Sequence, residues 1–204
     1  MAKRNTKEDI LNQSINLFAQ KGYNAVSVRE IASAVGIKES SIYNHYKSKQ
    51  EILDTIFNYL TEEMTPDAET DQKTTALIAE NLEQFYQVGS SYYQEKLKNQ
   101  KTVKTLRILF IELYHNDMVK QYMQNVFLNP PINAWTELFT KMMETNQIKK
   151  TNPEKLAKLF FLHGIEQLFE IFLIYYPNNI EKRLEKFFDE MEENMYFLLE
   201  PYRI

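Results

Sequence analysis

Apolar residues recur along this chain at the three-to-four-residue spacing of amphipathic helices. The first such segment, TKEDILNQSINLFAQKG, puts Ile10, Leu11, Ser14, Ile15, Leu17 and Phe18 on one broad helical face. Thr6 is its expected cap, Lys21 lies in its last turn, and Gly22 is expected to close it in the left-handed conformation. A second helix is predicted from Ser27-Val-Arg-Glu30, where serine caps forward and glutamate caps back, with Ile31, Ala32 and Val35 as its buried stripe. Gly36 stops it. A third, short helix is predicted over Glu39 to Tyr46, with Ile42 and Tyr46 inward and Ser40, Ser41, Tyr43, Asn44 and His45 outward. Ser48-Lys-Gln-Glu51 repeats the capping box and opens a fourth helix through Ile52, Leu53, Ile56, Phe57 and Leu60.

The pattern then lengthens. Helices are predicted near residues 48–64, 72–99, 102–115, 117–128, 131–147, 153–176 and 179–199. Asn152-Pro153 sets a capping residue before a proline at the first helical position, and Pro177-Asn178-Asn179 separates the last two helices. The penultimate helix is apolar on nearly every side, and the last carries a stripe from Ile180 through Leu184, Phe187, Phe188 and Met191 to Leu199. With only 4 Gly and 6 Pro in 204 residues, connections are expected to be short and the fold all-α.

Composition changes this picture in two places. There is no Cys, which removes disulfides, thiol redox chemistry and thiolate-bound zinc. The net charge of −4 hides a split: residues 1–50 hold eight Lys/Arg against four Asp/Glu, and the remainder sixteen against twenty-four. A basic N-terminal quarter on an acidic body points to a polyanionic partner for that quarter. The N-terminus lacks the apolar core of a signal peptide, and the run Leu156 to Tyr176 is interrupted by Lys158, His163, Glu166, Gln167 and Glu170. No membrane partner and a cytoplasmic location are therefore expected.

Helix, eight-residue helix, glycine turn and helix is the helix-turn-helix layout, whose second element enters the major groove of DNA. The outward polar set is suited to such a groove. Ser, Asn and Tyr bond base edges or phosphates, and tyrosine adds an apolar rim for a thymine methyl. Lys47 and Lys49 stand where phosphates would pass. The stretch VSVREIASAVGIKESSIYNHYKSKQEIL resembles the N-terminal DNA-binding domain of the TetR family of transcriptional regulators. The matching residues are Gly22-Tyr23, Ser27 to Ala32, Val35-Gly36-Ile37, Ile42-Tyr43, His45-Tyr46, Lys49 and Ile52-Leu53. Family members usually carry Phe where Tyr46 stands, which keeps the ring. The resemblance implies phosphate contacts at Ser27, Tyr43, His45 and Lys49, and approach to bases at Arg29, Glu39, Ser40, Ser41 and Asn44. Lys3 and Arg4 would form a short basic arm.

The expected organisation is thus a helix-turn-helix domain over residues 1–49, a three-helix bundle, and a larger helical effector-binding and dimerisation domain over 50–204. The resemblance implies a homodimer through the last two helices, with Gly164, Leu168, Phe172, Leu184, Phe187, Phe188 and Met191 as candidate seam residues. Its partners would be a near-palindromic double-stranded operator and a small-molecule effector. All but four of the 27 aromatic residues lie beyond residue 50. Phe85, Tyr86, Tyr93, Phe110, Tyr114, Trp135, Phe139, Met143 and Phe169 are candidate pocket walls, with His115, His163 and Glu166 as polar anchors. No cofactor is expected. Of two other readings, a metal-dependent enzyme has only Glu112-x-x-His115 and the reversed His163-x-x-Glu166 to offer, where a di-iron bundle needs two Glu-x-x-His copies and two further glutamates. A helical adaptor that binds only protein would not require Tyr43, His45 and Lys49 in that order.

Overall fold

In the computed structural model, which describes residues 5–67, 69, 72, 77 and 82–204 (the side chains of Leu82 and Glu83 excepted), helices dominate as the periodicity predicts. The described helices are α1 (Thr6–Lys21), α2 (Val28–Val35), α3 (Glu39–Ile42), α4 (Lys49–Met64), α5 (Leu82–Leu97), α6 (Gln100–Glu112), α7 (Asp117–Tyr122), α8 (Asn129–Glu144), α9 (Pro153–Phe169) and α10 (Ile180–Leu199). Met123–Leu128 and Glu170–Tyr175 continue α7 and α9 as single π-helical stretches, so the segment predicted at 117–128 is helical throughout and that predicted at 153–176 is helical to Tyr175, each with a widened end. Most of the predicted helix start before Leu82 lies outside the described residues, as do Lys3 and Arg4.

Local chemistry explains the boundaries. The Ser27 and Ser48 side chains accept the N–H groups of Glu30 and Glu51 at 3.1 Å each, which caps α2 and α4 as expected. The returning carboxylates are used differently: Glu30 pairs with Lys21, and Glu51 takes the Lys47 N–H. At α1 the cap is Asn5, whose Oδ1 accepts the Glu8 N–H at 3.4 Å, so Thr6 is the first helical residue. Gly36 ends α2 with φ 75° and ψ 36°, and the Ile37 N–H reaches back to the Ala32 carbonyl at 3.0 Å. Gly22 also has positive φ, 81°, but its ψ of 156° is extended rather than left-handed helical. The short third helix ends at Ile42, and residues 43–45 form turns.

The chain divides into two compact units, Met1–Thr65 with Asn99–Val119, and Pro66–Lys98 with Lys120–Ile204. This partition differs from the boundary expected after residue 49: α4 and α6 pack with the N-terminal helices. The first unit is built on Ile10, Ile15, Phe18, Ile31, Ile42, Tyr46, Ile52, Leu53, Ile56 and Leu60, together with Val103, Leu106 and Leu109 of α6. The core of the second collects Leu138, Phe139 and Met142 of α8, Leu156, Ala157 and Phe160 of α9, and Met191, Met195 and Leu199 of α10. Gly164 serves that core, because a Cβ there would stand 3.1 Å from the Met191 sulfur and 3.6 Å from the Phe187 ring. Among the described residues no helix is long and apolar enough to cross a membrane.

Candidate nucleic-acid interface

Ile42 and Tyr46 anchor α3 and the turn after it, both buried as their i, i+4 spacing predicts. The Tyr46 hydroxyl donates to the Lys7 carbonyl at 3.3 Å, a bond that phenylalanine could not make. With these two side chains inward, Lys38, Glu39, Ser40, Tyr43, Asn44 and Lys47 are exposed, and Ser41 and His45 half-buried. Tyr43 is 52% exposed, a large amount of aromatic surface for one side chain. Ser27 and Arg29 are exposed at the start of α2, where main-chain N–H groups and the helix dipole favour an anion. Eight of the nine predicted contact residues (Ser27, Arg29, Glu39, Ser40, Ser41, Tyr43, Asn44 and His45) are thus exposed or half-buried on α2, α3 and the turn after α3.

Lys49 is held differently. Its Nζ donates to the carbonyls of Tyr23 and Val26 at 2.8 Å each and lies 4.1 Å from the centre of the Tyr23 ring. Burial pulls its pKa down, and the Glu112 carboxylate opposes that shift. Burial likewise pushes the Tyr23 phenol up, with smaller contributions from Asp54 and Glu112. Two residues that the sequence pattern does not assign to DNA binding join this cluster. The Tyr23 hydroxyl donates to Gln50 Oε1 at 3.3 Å, and the Tyr23 N–H donates to Glu112 Oε1 at 2.7 Å. Glu112, half of the metal motif weighed above, is occupied by that bond, while His115 is exposed in the turn beyond it.

Residues 10–56 match the model of the family described as bacterial regulatory proteins, tetR family. The biofilm operon icaADBC HTH-type negative transcriptional regulator IcaR of Staphylococcus epidermidis is 39% identical over 57 residues, which are 26% of this chain and 31% of that protein. The Transposon Tn10 TetC protein of Escherichia coli is 23% identical over 163 residues, 78% of each chain. Residues 10–56 thus carry a tetR-family domain. The crystal structure of AibR in complex with isovaleryl coenzyme A and operator DNA has the same fold, with a TM-score of 0.62, 14% identity, and coverage of 95% of this chain and 98% of that one.

The twelve expected pocket residues are divided between the two units. Phe110 is core of the first unit, and Tyr114 and His115 follow α6 there, the tyrosine 82% exposed. Within the second unit, the Trp135 ring is tilted 54° against Phe160 with centres 4.2 Å apart, and its centre lies 5.6 and 5.7 Å from those of Phe85 and Phe139. Met143 packs against the same cluster, and the Tyr86 hydroxyl donates to the Phe188 carbonyl at 2.7 Å. Tyr93 meets Tyr92 edge-on at 5.3 Å. His163, Glu166 and Phe169 lie on the outer face of α9, where the His163 ring bonds Gln167 at 2.7 Å and stands 3.5 Å from Glu166. Two surface clefts belong to this unit. One of about 530 Å³ runs along α9 past Lys155, Leu159, Leu162 and His163. The other, of about 470 Å³, lies between the end of α5 and the start of α10 beside Leu97, Lys98, Leu184, Glu185 and Phe188. Of the expected anchors only His163 lines either one.

Most of the expected seam residues lie inside their own unit. Gly164, Leu168, Phe172, Leu184, Phe188 and Met191 are buried within the second unit, and Phe187 is half-buried against Phe188. Their stripe serves α9–α10 packing inside the subunit. The large apolar side chains left exposed on these helices are Leu159, Leu162 and Phe169 of α9 and Phe197 of α10. Sequence pattern could not find them, since on an almost wholly apolar helix it does not say which side faces its own core.

Proposed function

We propose that this chain is a homodimeric, sequence-specific DNA-binding regulator of the cytoplasm, a repressor released from its operator by a small-molecule effector. The observation that carries this reading is the exposed set Ser40, Tyr43 and Asn44 around α3, with Ser27 and Arg29 beside it, on a chain whose first fifty residues are its basic part. Ser40, Ser41, Asn44 and Arg29 read base edges, while Ser27, Tyr43, His45 and Lys47 meet phosphates. Lys49 supports the loop behind them. One recognition element per subunit and a two-fold axis require a near-palindromic operator with half-sites about 34 Å apart.

The exposed side chains Leu159, Leu162, Phe169 and Phe197 support dimerisation, since a second copy would remove them from water. The effector acts by binding better to the dimer whose recognition elements no longer match that spacing; a full switch needs about 10⁴-fold preference. AibR, whose structure holds both isovaleryl coenzyme A and operator DNA, supports the expectation of these two kinds of partner, a small molecule and a duplex. The deciding experiment is selection of bound duplexes from a random pool. Enrichment of a palindrome is the expected outcome, and a pool that stays random overturns the reading.

A further inference from the structure

The geometry points to Glu112 as the residue that sets the position of the DNA-facing loop, a role that rests on the DNA-binding reading above. Glu112 ends α6 and is 4% exposed, the one buried charged side chain among the described residues. A carboxylate is costly to bury unless it is well bonded, and this one is bonded to a single specific place. Its Oε1 takes the Tyr23 backbone N–H at 2.7 Å across 89 residues of chain. The same oxygen lies 3.1 Å from where a Cβ on Gly22 would stand, so the loop is shaped around it.

Lys49 in turn holds the Tyr23 and Val26 carbonyls, and the next residue is Ser27, cap of α2. Glu112 and Lys49 therefore both hold one short loop, the first by an N–H and the second by two carbonyls, and from it α2 departs toward α3. Farther back along α6, Arg107 Nε donates to the Ala19 carbonyl at 2.9 Å and Lys104 Nζ to Asn16 Oδ1 at 2.8 Å. So α6 grips the end of α1 with two cations and the loop beyond it with an anion. Apolar contacts tolerate sliding, whereas a charge-assisted hydrogen bond of this length fixes register to a few tenths of an ångström. A movement of α6 is carried directly into Tyr23.

The test uses the full chain and the duplex that the wild type selects. Glu112→Gln keeps a side-chain oxygen for the Tyr23 N–H, Glu112→Asp keeps the charge but shortens the reach by one methylene, and Glu112→Leu keeps neither. Glu112→Gln should bind within about threefold of wild type, and the other two should lose about tenfold or more while unfolding cooperatively. The salt dependence should not change, because no phosphate contact is removed. The Tyr23 amide proton should move upfield in the Asp and Leu variants only. Should Glu112→Leu fail to fold, the Gln and Asp pair decides alone. Folded Asp and Gln variants that both bind like wild type would overturn the role of Glu112 and leave the DNA-binding reading standing. A wild type that selects no duplex removes both.

Discussion

Asn44 and Lys49 are five residues apart and act differently. Asn44 is exposed on the turn after α3, with an amide able to donate and accept at once. Asn44→Ala should erase preference at one operator position per half-site, by about 1–3 kcal/mol, and leave other positions alone. Binding measured across single-base operator variants checks this. Lys49 has its ammonium on two carbonyls and an aromatic face. Lys49→Met should therefore weaken binding through the loop, with an unchanged slope of log affinity against log salt. Lys47→Ala, at an exposed position, should reduce that slope by about one. A Lys49 variant that flattens the slope would return it to the phosphate group.

At the scale of elements, caps and corners decide where α2, α3 and α4 stand. Ser27→Ala and Ser48→Ala each remove an acceptor from an exposed helix start and should cost about 1 kcal/mol in denaturant unfolding. Gly36→Ala meets no neighbour within 4 Å, so its cost is the left-handed backbone alone, about 1–2 kcal/mol. Gly164 differs. A methyl there meets the flexible end of Met191, which can shift, but a leucine would also press on Phe187. Gly164→Ala should be mildly destabilising and Gly164→Leu should cost about 1–3 kcal/mol by overpacking. These elements were legible because each signal is local: Ser27 and Ser48 cap helices within three residues, and Gly36 turns the chain where it stands. The third helix is four residues shorter than its pattern predicts, because the inward pair Ile42 and Tyr46 fits a turn as well as a helix.

At the scale of the whole molecule, association and unfolding should separate. Light scattering of the wild type should give twice the 24.3 kDa chain mass. Leu162→Glu with Phe169→Glu, both on the exposed face of α9, should give a folded monomer, while Leu184→Asp buries a charge and should unfold the second unit instead. A dimer surviving the double substitution would move the seam elsewhere. Trp135 reports on the effector: its ring lies among Phe85, Phe139 and Phe160, so a ligand that rearranges this cluster should shift its emission. Emission and operator release should then follow one concentration range, because linked equilibria share a coupling free energy. Release without any change in emission would place the effector away from this cluster.

The amino-acid sequence determined the helical class, the order of the helices, the helix-turn-helix and the polar set on its outer side. Each follows from interactions within a few residues, namely apolar spacing, capping hydroxyls and a glycine at positive φ. Tertiary structure alone decided what those rules leave open. The carboxylate of Glu112 found the Tyr23 N–H 89 residues away, and Lys49 turned inward to that loop. Leu184 and Met191 went into the core of their own subunit while Leu159 and Leu162 stayed outside. The physical reason is the same in each case. Periodicity tells how much apolar surface a helix carries and on which residues, but the partner that covers it, or the donor that satisfies a buried charge, is set by packing between segments distant in the chain.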